Sequence, residues 1–268
     1  MAMLNLSVSL IVSTYNWPKA LNLCLLSIKR QVVLPNEVII ADDGSTGETK
    51  ELIDQYRKDF PVPIIHIWQK DDGFQLSRIR NKAIAKAMGE YIIQVDGDLI
   101  LEKHFVKDHL SFSRKNTFVS GSRVIISKDL SERLLDRQEI KVYLTNRGLI
   151  NQMNGLRLPF LSEKTADYKK ADIYYLRGCN MAFWRQDLIR VNGYNEAFSG
   201  WGREDNEIGL RLINSGVDKR IIKFSGIVYH IYHPEKTRIG LEVNDQILKQ
   251  TARNHLIRTE LGLNQYLK

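Results

Sequence analysis

The sequence predicts an α/β chain built on a mostly parallel sheet, and two observations carry that expectation. Short apolar, β-branched runs alternate with segments of helical period through the first hundred residues. Such alternation closes into parallel strands with helices on both faces. Three of those runs also end in polar clusters, STYN, DDGS and DGD. In open sheets of this kind ligands gather beyond the carboxyl ends of the strands.

Each element follows in order. SVSLIVSTY is apolar and β-branched, the composition of a buried strand. Pro18 suits the first turn of a helix that runs on through KALNLCLLSIKRQ. EVIIA is a second strand, closed by DDGST, and Thr46 or Ser45 is placed to cap a helix over about 48–58. IIHIW is a third strand. SRIRNKAIAKAM puts Ile79, Ala83, Ile84, Ala87 and Met88 on one helical face, with Gly89 as the stop. YIIQVDGD is a fourth strand that runs into acids. Beyond about residue 115 the pattern loosens. VSGSRVIIS and IYYLRGCNMAFW read as strands, 129–170 as helical stretches mixed with polar loop, and DNEIGLRLINSG as a helix with a glycine stop. RIIKFSGIVYHIYH reads as a last strand region, and about 240–262 as an amphipathic helix. With no internal repeat, low-complexity stretch or Pro-rich linker, one continuous domain over 1–268 is expected.

Composition narrows the function. The 268 residues are 43% hydrophobic and 26% charged, ordinary values for a folded chain. No apolar run reaches the roughly 18 residues of a membrane-spanning helix, and the first residues read as a strand rather than a signal peptide. Cys24 and Cys179 form neither a disulfide framework nor a metal spacing, which fits a reducing, cytoplasmic location. The net charge is +8. Between Glu102 and Lys170 there are 14 Lys and Arg against 8 Asp and Glu, so most of the surplus sits in the middle third. That segment suits phosphates, an anionic membrane face or an acidic polymer, or simply a solvated surface. Nucleic acid is not expected, because zinc-finger spacing and aromatic RNA-binding signatures are lacking.

The acids carry the chemistry. Asp96 and Asp98 stand two apart, so an extended segment points both the same way. Carboxylates suit hard cations such as Mg²⁺ or Mn²⁺, which grip a diphosphate. Asp42 and Asp43 end the second strand, where turn formation is the alternative role. No glycine pattern follows the first strand, which disfavours a dinucleotide-binding oxidoreductase. Glu204, Asp205 and Glu207 crowd behind Trp201 in GWGREDNEIGLRL. Three carboxylates in four residues repel, so they cap a helix, face solvent or have a chemical task.

SLIVSTYN, EVIIADDGS, DDGFQLSRIRNKAI and GEYIIQVDGD, in that order, resemble the nucleotide-sugar half of family 2 glycosyltransferases with the GT-A fold. RGCNMAFWRQDLIRVNGYNEAFSGWGREDNEIGLRL is similar to the acceptor half shared with β-1,4-galactosyltransferases and bacterial chondroitin-polymerase-type enzymes. The resemblance covers roughly residues 7–125 and 174–234. It implies a GT-A fold: a Rossmann-like nucleotide-binding half over 1–125, a smaller acceptor half over 126–239, and a helical tail over 240–268. Residues 126–173 match nothing nameable and are expected to shape the acceptor site.

The resemblance also implies roles. Asp43, with Asp42 beside it, would hold the nucleotide base, and Ser13 and Tyr15 would line the uridine pocket. Arg78 would face the nucleotide. Asp96 would lie near ribose and metal-bound water, and Asp98 would ligate Mn²⁺ or Mg²⁺ with a histidine, His230 matching better than His233. Gly178 would let the donor sugar approach the backbone. Asp205 would be the catalytic base, Glu204 would hold acceptor or donor sugar, and Trp201 would offer an apolar platform. Asn206 and Arg203 depart from the animal galactosyltransferase pattern of Asp and Gly, which bears on the acceptor. The implied reaction is inverting transfer of a hexose or N-acetylhexosamine from a UDP-sugar to a hydroxyl of a saccharide or lipid-linked saccharide, in bacterial surface polysaccharide synthesis, with peripheral contact at the inner membrane face. The alternatives are a sugar nucleotidyltransferase, whose Gly-rich basic signature is lacking, and a non-catalytic sugar-nucleotide or glycan-binding module.

Overall fold

The computed structural model describes residues 6–234 and 240–267. Its first strand, β1 (Val8–Thr14), is buried along its whole length, as is β2 (Glu37–Asp42). Continuous burial is what their unbroken apolar runs require, because helices cover both faces. With β3 (Ile64–Trp68) and β4 (Tyr91–Asp96) they form the parallel part of a seven-stranded sheet. Three later strands complete it: β6 (Thr117–Gly121), β9 (Asn180–Trp184) and β10 (Asp218–Ile222). The order is β10-β6-β9-β4-β1-β2-β3, and only β9 runs antiparallel to its neighbours. The chain is therefore α/β with a mostly parallel central sheet, as the alternation requires.

A second sheet of four short strands stands beside it, in the order β5-β11-β7-β8. Its members are β5 (Leu99–Leu101), β7 (Val124–Ile126), β8 (Leu149–Ile150) and β11 (Val228–His230). The stretch expected as one strand and the one expected as a last strand region are thus each split between sheets. VSGSRVIIS becomes β6 and β7, and RIIKFSGIVYHIYH becomes β10 and β11. The first break falls at Ser122 and Arg123, and the second spans residues 223–227, where Phe224 and Gly226 both take positive φ and turn the chain out of the first sheet.

The helices are α1 (Pro18–Lys29), α2 (Gly47–Tyr56), α3 (Leu76–Lys86), α4 (Phe105–Phe112), α5 (Lys128–Arg137), α6 (Arg185–Arg190), α7 (Glu204–Asn214) and α8 (Leu241–Arg253). Pro18 takes the first turn of α1, as its fixed φ favours. Thr46 occupies the cap position of α2, but its side chain makes no capping bond, and Ser45 Oγ instead accepts from the Asn16 amide at 2.8 Å. The amphipathic reading of α3 holds for Ile79, Ala83, Ile84 and Ala87, all buried, but not for Met88. The helix stops at Ala87, whose backbone is already extended, and Met88 is 85% exposed. Gly89 is not the stop. It lies against β1, where a Cβ would sit 2.5 Å from the Ser9 amide nitrogen.

Candidate active site

The carboxyl ends of β1, β2 and β4 meet on one edge of the large sheet, because Ser13 pairs with both Ala41 and Asp96, and Thr14 with Asp42. Chain reversals at these ends leave their polar residues facing one cleft. At the second strand's end Asp42 and Asp43 are both buried. Asp42 accepts from the Ser45 amide at 2.8 Å and sits 2.9 Å from His66 Nε2. Asp43 accepts from Gln69 Nε2 at 2.6 Å and from the Gln75 amide at 2.9 Å. Asp42 therefore braces the turn after β2 against β3, and Asp43 braces the loop after β3. Asp43 also faces a cavity of about 520 Å³, shared with Tyr15, Phe74, Trp201 and, from α8, Val243 and Asn244. The Tyr15 hydroxyl donates to Asp71 at 2.9 Å.

The acid after β4 is placed by the second sheet. β5 starts one residue after Asp98, and β11 pairs with it so that His230 lies opposite Leu99. The Ile231 amide then donates to the Asp98 carbonyl at 3.0 Å. As a result, Asp98, His230 and His233 each offer a ligand atom, all within 4.8 Å of one another. The His Nε2 atoms lie 3.6 Å (His230) and 3.3 Å (His233) from Asp98 Oδ2. Asp98 Oδ1 is buried without a hydrogen-bond partner. Burial pushes the Asp98 carboxyl up, but the His233 hydrogen bond and the charges of both histidines hold it below the usual range. Burial lowers His230, which favours the neutral imidazole that a metal needs. Two imidazoles, a carboxylate and one unsatisfied oxygen fit a divalent cation.

The third group comes from α7. Arg203 precedes it with φ at 78°, and Glu204 and Asp205 form its first turn. Asp205 Oδ1 accepts from Arg80 Nη1 at 2.9 Å and from the Tyr194 hydroxyl at 3.2 Å. Its other oxygen lies over Gly178, where a Cβ would come within 1.6 Å. The missing side chain at Gly178 therefore makes room for the Asp205 carboxylate. Glu204 is buried, and its Oε2 has no hydrogen-bond partner. Burial, together with the neighbouring Asp205, raises its carboxyl to about 7, with Arg80 opposing. Glu207 is different. It is 1% exposed and forms a two-pronged pair with Arg211 at 2.8 Å, which in turn bonds the Val191 and Gly193 carbonyls. It anchors the helix rather than facing the cleft.

Arg80 ties these groups together. Its side chain is 1% exposed, and Nη2 reaches Asp96 at 3.2 Å, Nε reaches Ser13 Oγ at 3.4 Å, and Glu204 stands 4.0 Å away. Burial works against its charge, but Asp205 foremost, with Asp96 and Glu204, outweighs that and raises its proton affinity. Asp96, with a third of its side chain exposed, is raised to about 6 by burial against the pull of Arg80. Arg78, two residues earlier, points elsewhere. It lies half-exposed on an outer groove with Lys82, 3.8 Å from both Asp72 and Glu196. Residues two apart on a helix project about 200° from each other, so only one arginine could enter the cleft. The signal was present: Arg80 stands four before Ile84 and seven before Ala87, on the buried stripe, whereas Arg78 stands four before Lys82. Tyr194, and Gln94 that accepts from it at 2.9 Å, were likewise not singled out.

This arrangement brings the acid pair that ends β2, a carboxylate–histidine cluster that fits a divalent cation, and two helix-borne carboxylates to the carboxyl edge of a mostly parallel sheet. Glycosyl transferase family 2 matches residues 9–191, and the N-terminal domain of galactosyltransferase matches 161–234. The chain belongs to glycosyl transferase family 2, a family of sugar-transferring enzymes. Among its relatives, chondroitin synthase from Escherichia coli is 26% identical over 90% of this chain and 38% of its own length. Validoxylamine A glucosyltransferase from Streptomyces hygroscopicus subsp. limoneus is 23% identical over 81% of this chain and 50% of its own. The chain thus spans half or less of these relatives. S. aureus TarS 1-349 in complex with UDP-GlcNAc superposes with a TM-score of 0.69 at 18% identity, covering 97% of this chain and 69% of that one. The mannosyltransferase PcManGT from Pyrobaculum calidifontis, in complex with GDP-Man and Mn2+, gives 0.61 at 17% identity, covering 92% and 64%. The fold is GT-A.

Proposed function

We propose that this chain is an inverting, metal-dependent glycosyltransferase that moves a hexose or N-acetylhexosamine from a UDP-sugar to a saccharide hydroxyl. The observation that carries the reading is the joint placement of the Asp98, His230 and His233 cluster and the Glu204–Asp205 pair, bridged through Arg80 and Asp96. The relative and the structural neighbour whose names include chondroitin synthesis and UDP-GlcNAc support a UDP-sugar donor and a polysaccharide product.

In this reading Asp43, Asp42, Ser13 and Tyr15 form the nucleotide end of the cleft, and Arg78 lies outside it on the groove with Asp72 and Lys82. Asp98, His230 and His233 would hold Mn²⁺ or Mg²⁺, whose charge neutralises the departing diphosphate. Asp205 takes the proton of the acceptor hydroxyl. The oxygen attacks the anomeric carbon from the face opposite UDP, the bond to the diphosphate oxygen breaks, and UDP leaves with that electron pair. Glu204, with one oxygen free of partners, holds a sugar hydroxyl, and Trp201 packs against a sugar face. Tyr194 and Arg80 keep the Asp205 carboxylate aimed at the acceptor side. The product belongs to a bacterial surface polysaccharide, made at the cytoplasmic face.

Calorimetric titration of UDP with and without Mn²⁺ tests the donor site. Wild type should bind UDP only with metal, and Asp98→Ala should not bind. Asp205→Asn should keep UDP binding and lose transfer by about 10²–10⁴-fold. Absent binding in wild type, or full turnover in Asp205→Asn, overturns the reading.

A further inference from the structure

The turn-rich segment that precedes β9 carries an unusual charge arrangement. Tyr168 and Tyr175 meet edge to face, with ring centroids 5.4 Å apart at 77°. Three cations sit on these two rings. Lys169 Nζ lies 4.7 Å from the Tyr175 centroid and 5.9 Å from that of Tyr168. The Arg177 guanidinium lies 5.2 Å from Tyr175, and Lys223 Nζ lies 4.1 Å from Tyr168. Among the described residues no carboxylate lies within 4.0 Å of any of the three. Nearby charges are paired: Lys170 with Asp218 at 3.1 Å, and Arg203 with Asp245.

Like charges gathered this closely repel one another, and the ring faces offset only part of that cost. The scaffold nevertheless holds them. Buried Lys219 bonds the Tyr175 carbonyl at 3.5 Å, Asn206 bonds the Ile173 carbonyl at 2.8 Å, and the Arg177 amide bonds Ser120 at 3.0 Å. The rings restrict the rotamers of the cations, so an anion that binds them has less side-chain freedom to freeze. Position supplies the rest. Arg177 is followed by Gly178, the residue on which the Asp205 carboxylate rests, and Arg203, stacked 5.2 Å over Tyr174, is followed by Glu204. Arg177 therefore stands next in the chain to the residue that the Asp205 carboxylate overlies, and Lys169 and Lys223 are joined to it through the two rings.

We propose that Lys169, Arg177 and Lys223 form a docking site for an anionic saccharide chain, the acceptor of the reaction. They bind carboxylate or phosphate groups carried along the chain while its terminal hydroxyl reaches Asp205. This rests on the transferase reading above and adds that the acceptor is acidic. A bare anionic membrane is the competing occupant. It is disfavoured because Arg177 adjoins Gly178, against which the Asp205 carboxylate rests, and because the tyrosine rings that hold the cations also suit sugars.

The test uses the wild type and a Lys169→Gln/Arg177→Gln/Lys223→Gln variant. Three probes are titrated: a uronic-acid hexasaccharide, its carboxyl-reduced neutral counterpart, and that neutral chain bearing phosphate monoesters. The wild type should bind one or both charged chains at least about tenfold more tightly than the neutral one, and which of them binds identifies the anion. The variant should lose about tenfold for the charged chain, the scale of losing three partly exposed ion pairs. Its UDP binding with Mn²⁺ should be unchanged, so a failed donor site and a failed acceptor site give different results. Equal binding of charged and neutral chains overturns the proposal, as does unchanged binding by the variant. So does loss in the variant of binding to phosphatidylglycerol vesicles alone.

Discussion

Replacing Arg80 with methionine removes a buried cation that faces Asp205, Asp96 and Glu204. At an effective dielectric of about 20, the contacts at 2.9 and 3.2 Å are each worth about 5 kcal/mol before desolvation. Much of that offsets the cost of burying the charges. Removing one partner of a buried ion pair costs about 3–5 kcal/mol, because the acids are left uncompensated. The cost depends on pH. Glu204 is already raised to about 7 and rises further without Arg80, so the folded variant binds more protons than its unfolded chain. A carboxyl raised on folding favours the native state less as pH climbs from its unfolded value through its folded one. Urea unfolding of Arg80→Met should therefore show a loss of about 3–5 kcal/mol at pH 8, narrowing towards pH 5. Arg80→Lys should fall between, since a point charge cannot span two carboxylates as a guanidinium does. A loss below about 1 kcal/mol at pH 8, or a gap that widens as pH falls, would refute this account of the charge network.

Two further perturbations separate the site from its supports. Gly178→Ala drives a methyl into the Asp205 carboxylate, so transfer should drop at least about tenfold while UDP binding with Mn²⁺ persists; unchanged transfer in a kinetic assay would contradict the contact. Glu207→Gln weakens the buried pair with Arg211 and should lower stability by about 3 kcal/mol in thermal or urea unfolding. Because Glu207 faces away from the cleft, UDP affinity of the folded variant should equal that of wild type.

Much of the fold was legible because β1, β2 and β4 are unbroken apolar runs that need two covered faces, and because α1, α3 and α7 have helical period. The acids at strand ends were legible for the same reason: once the strands are placed, their carboxyl ends follow. Less could be read where elements are three residues long. β5, β7 and β11 carry too few residues to show a period, yet they bring His230 and His233 to Asp98. Sequence left those two histidines as rivals, whereas the structure sets both beside the same carboxylate. Arg78 follows from the segment resemblance alone, whereas the helical projection that puts Arg80 on the buried stripe of α3 sends Arg78 to the outer groove. Met88 misled because its place in the apolar spacing says nothing of where the helix ends. The role of Glu207 depended on Arg211 and the turn at 191–193, a contact no local pattern announces.

The antiparallel strand β9 lies between β4 and β6 in the large sheet. It comes from the later part of the chain, yet it occupies a central place among strands of the earlier part. A chain cut near residue 125 would leave the facing sides of β4 and β6 with open backbone groups where Asn180–Trp184 should bond. The later part of the chain therefore cannot be exchanged here as a detachable cassette. Any hybrid between such chains has to carry the interleaved strand along with the segments around it, and both must be compatible with β4 and β6 of the same sheet.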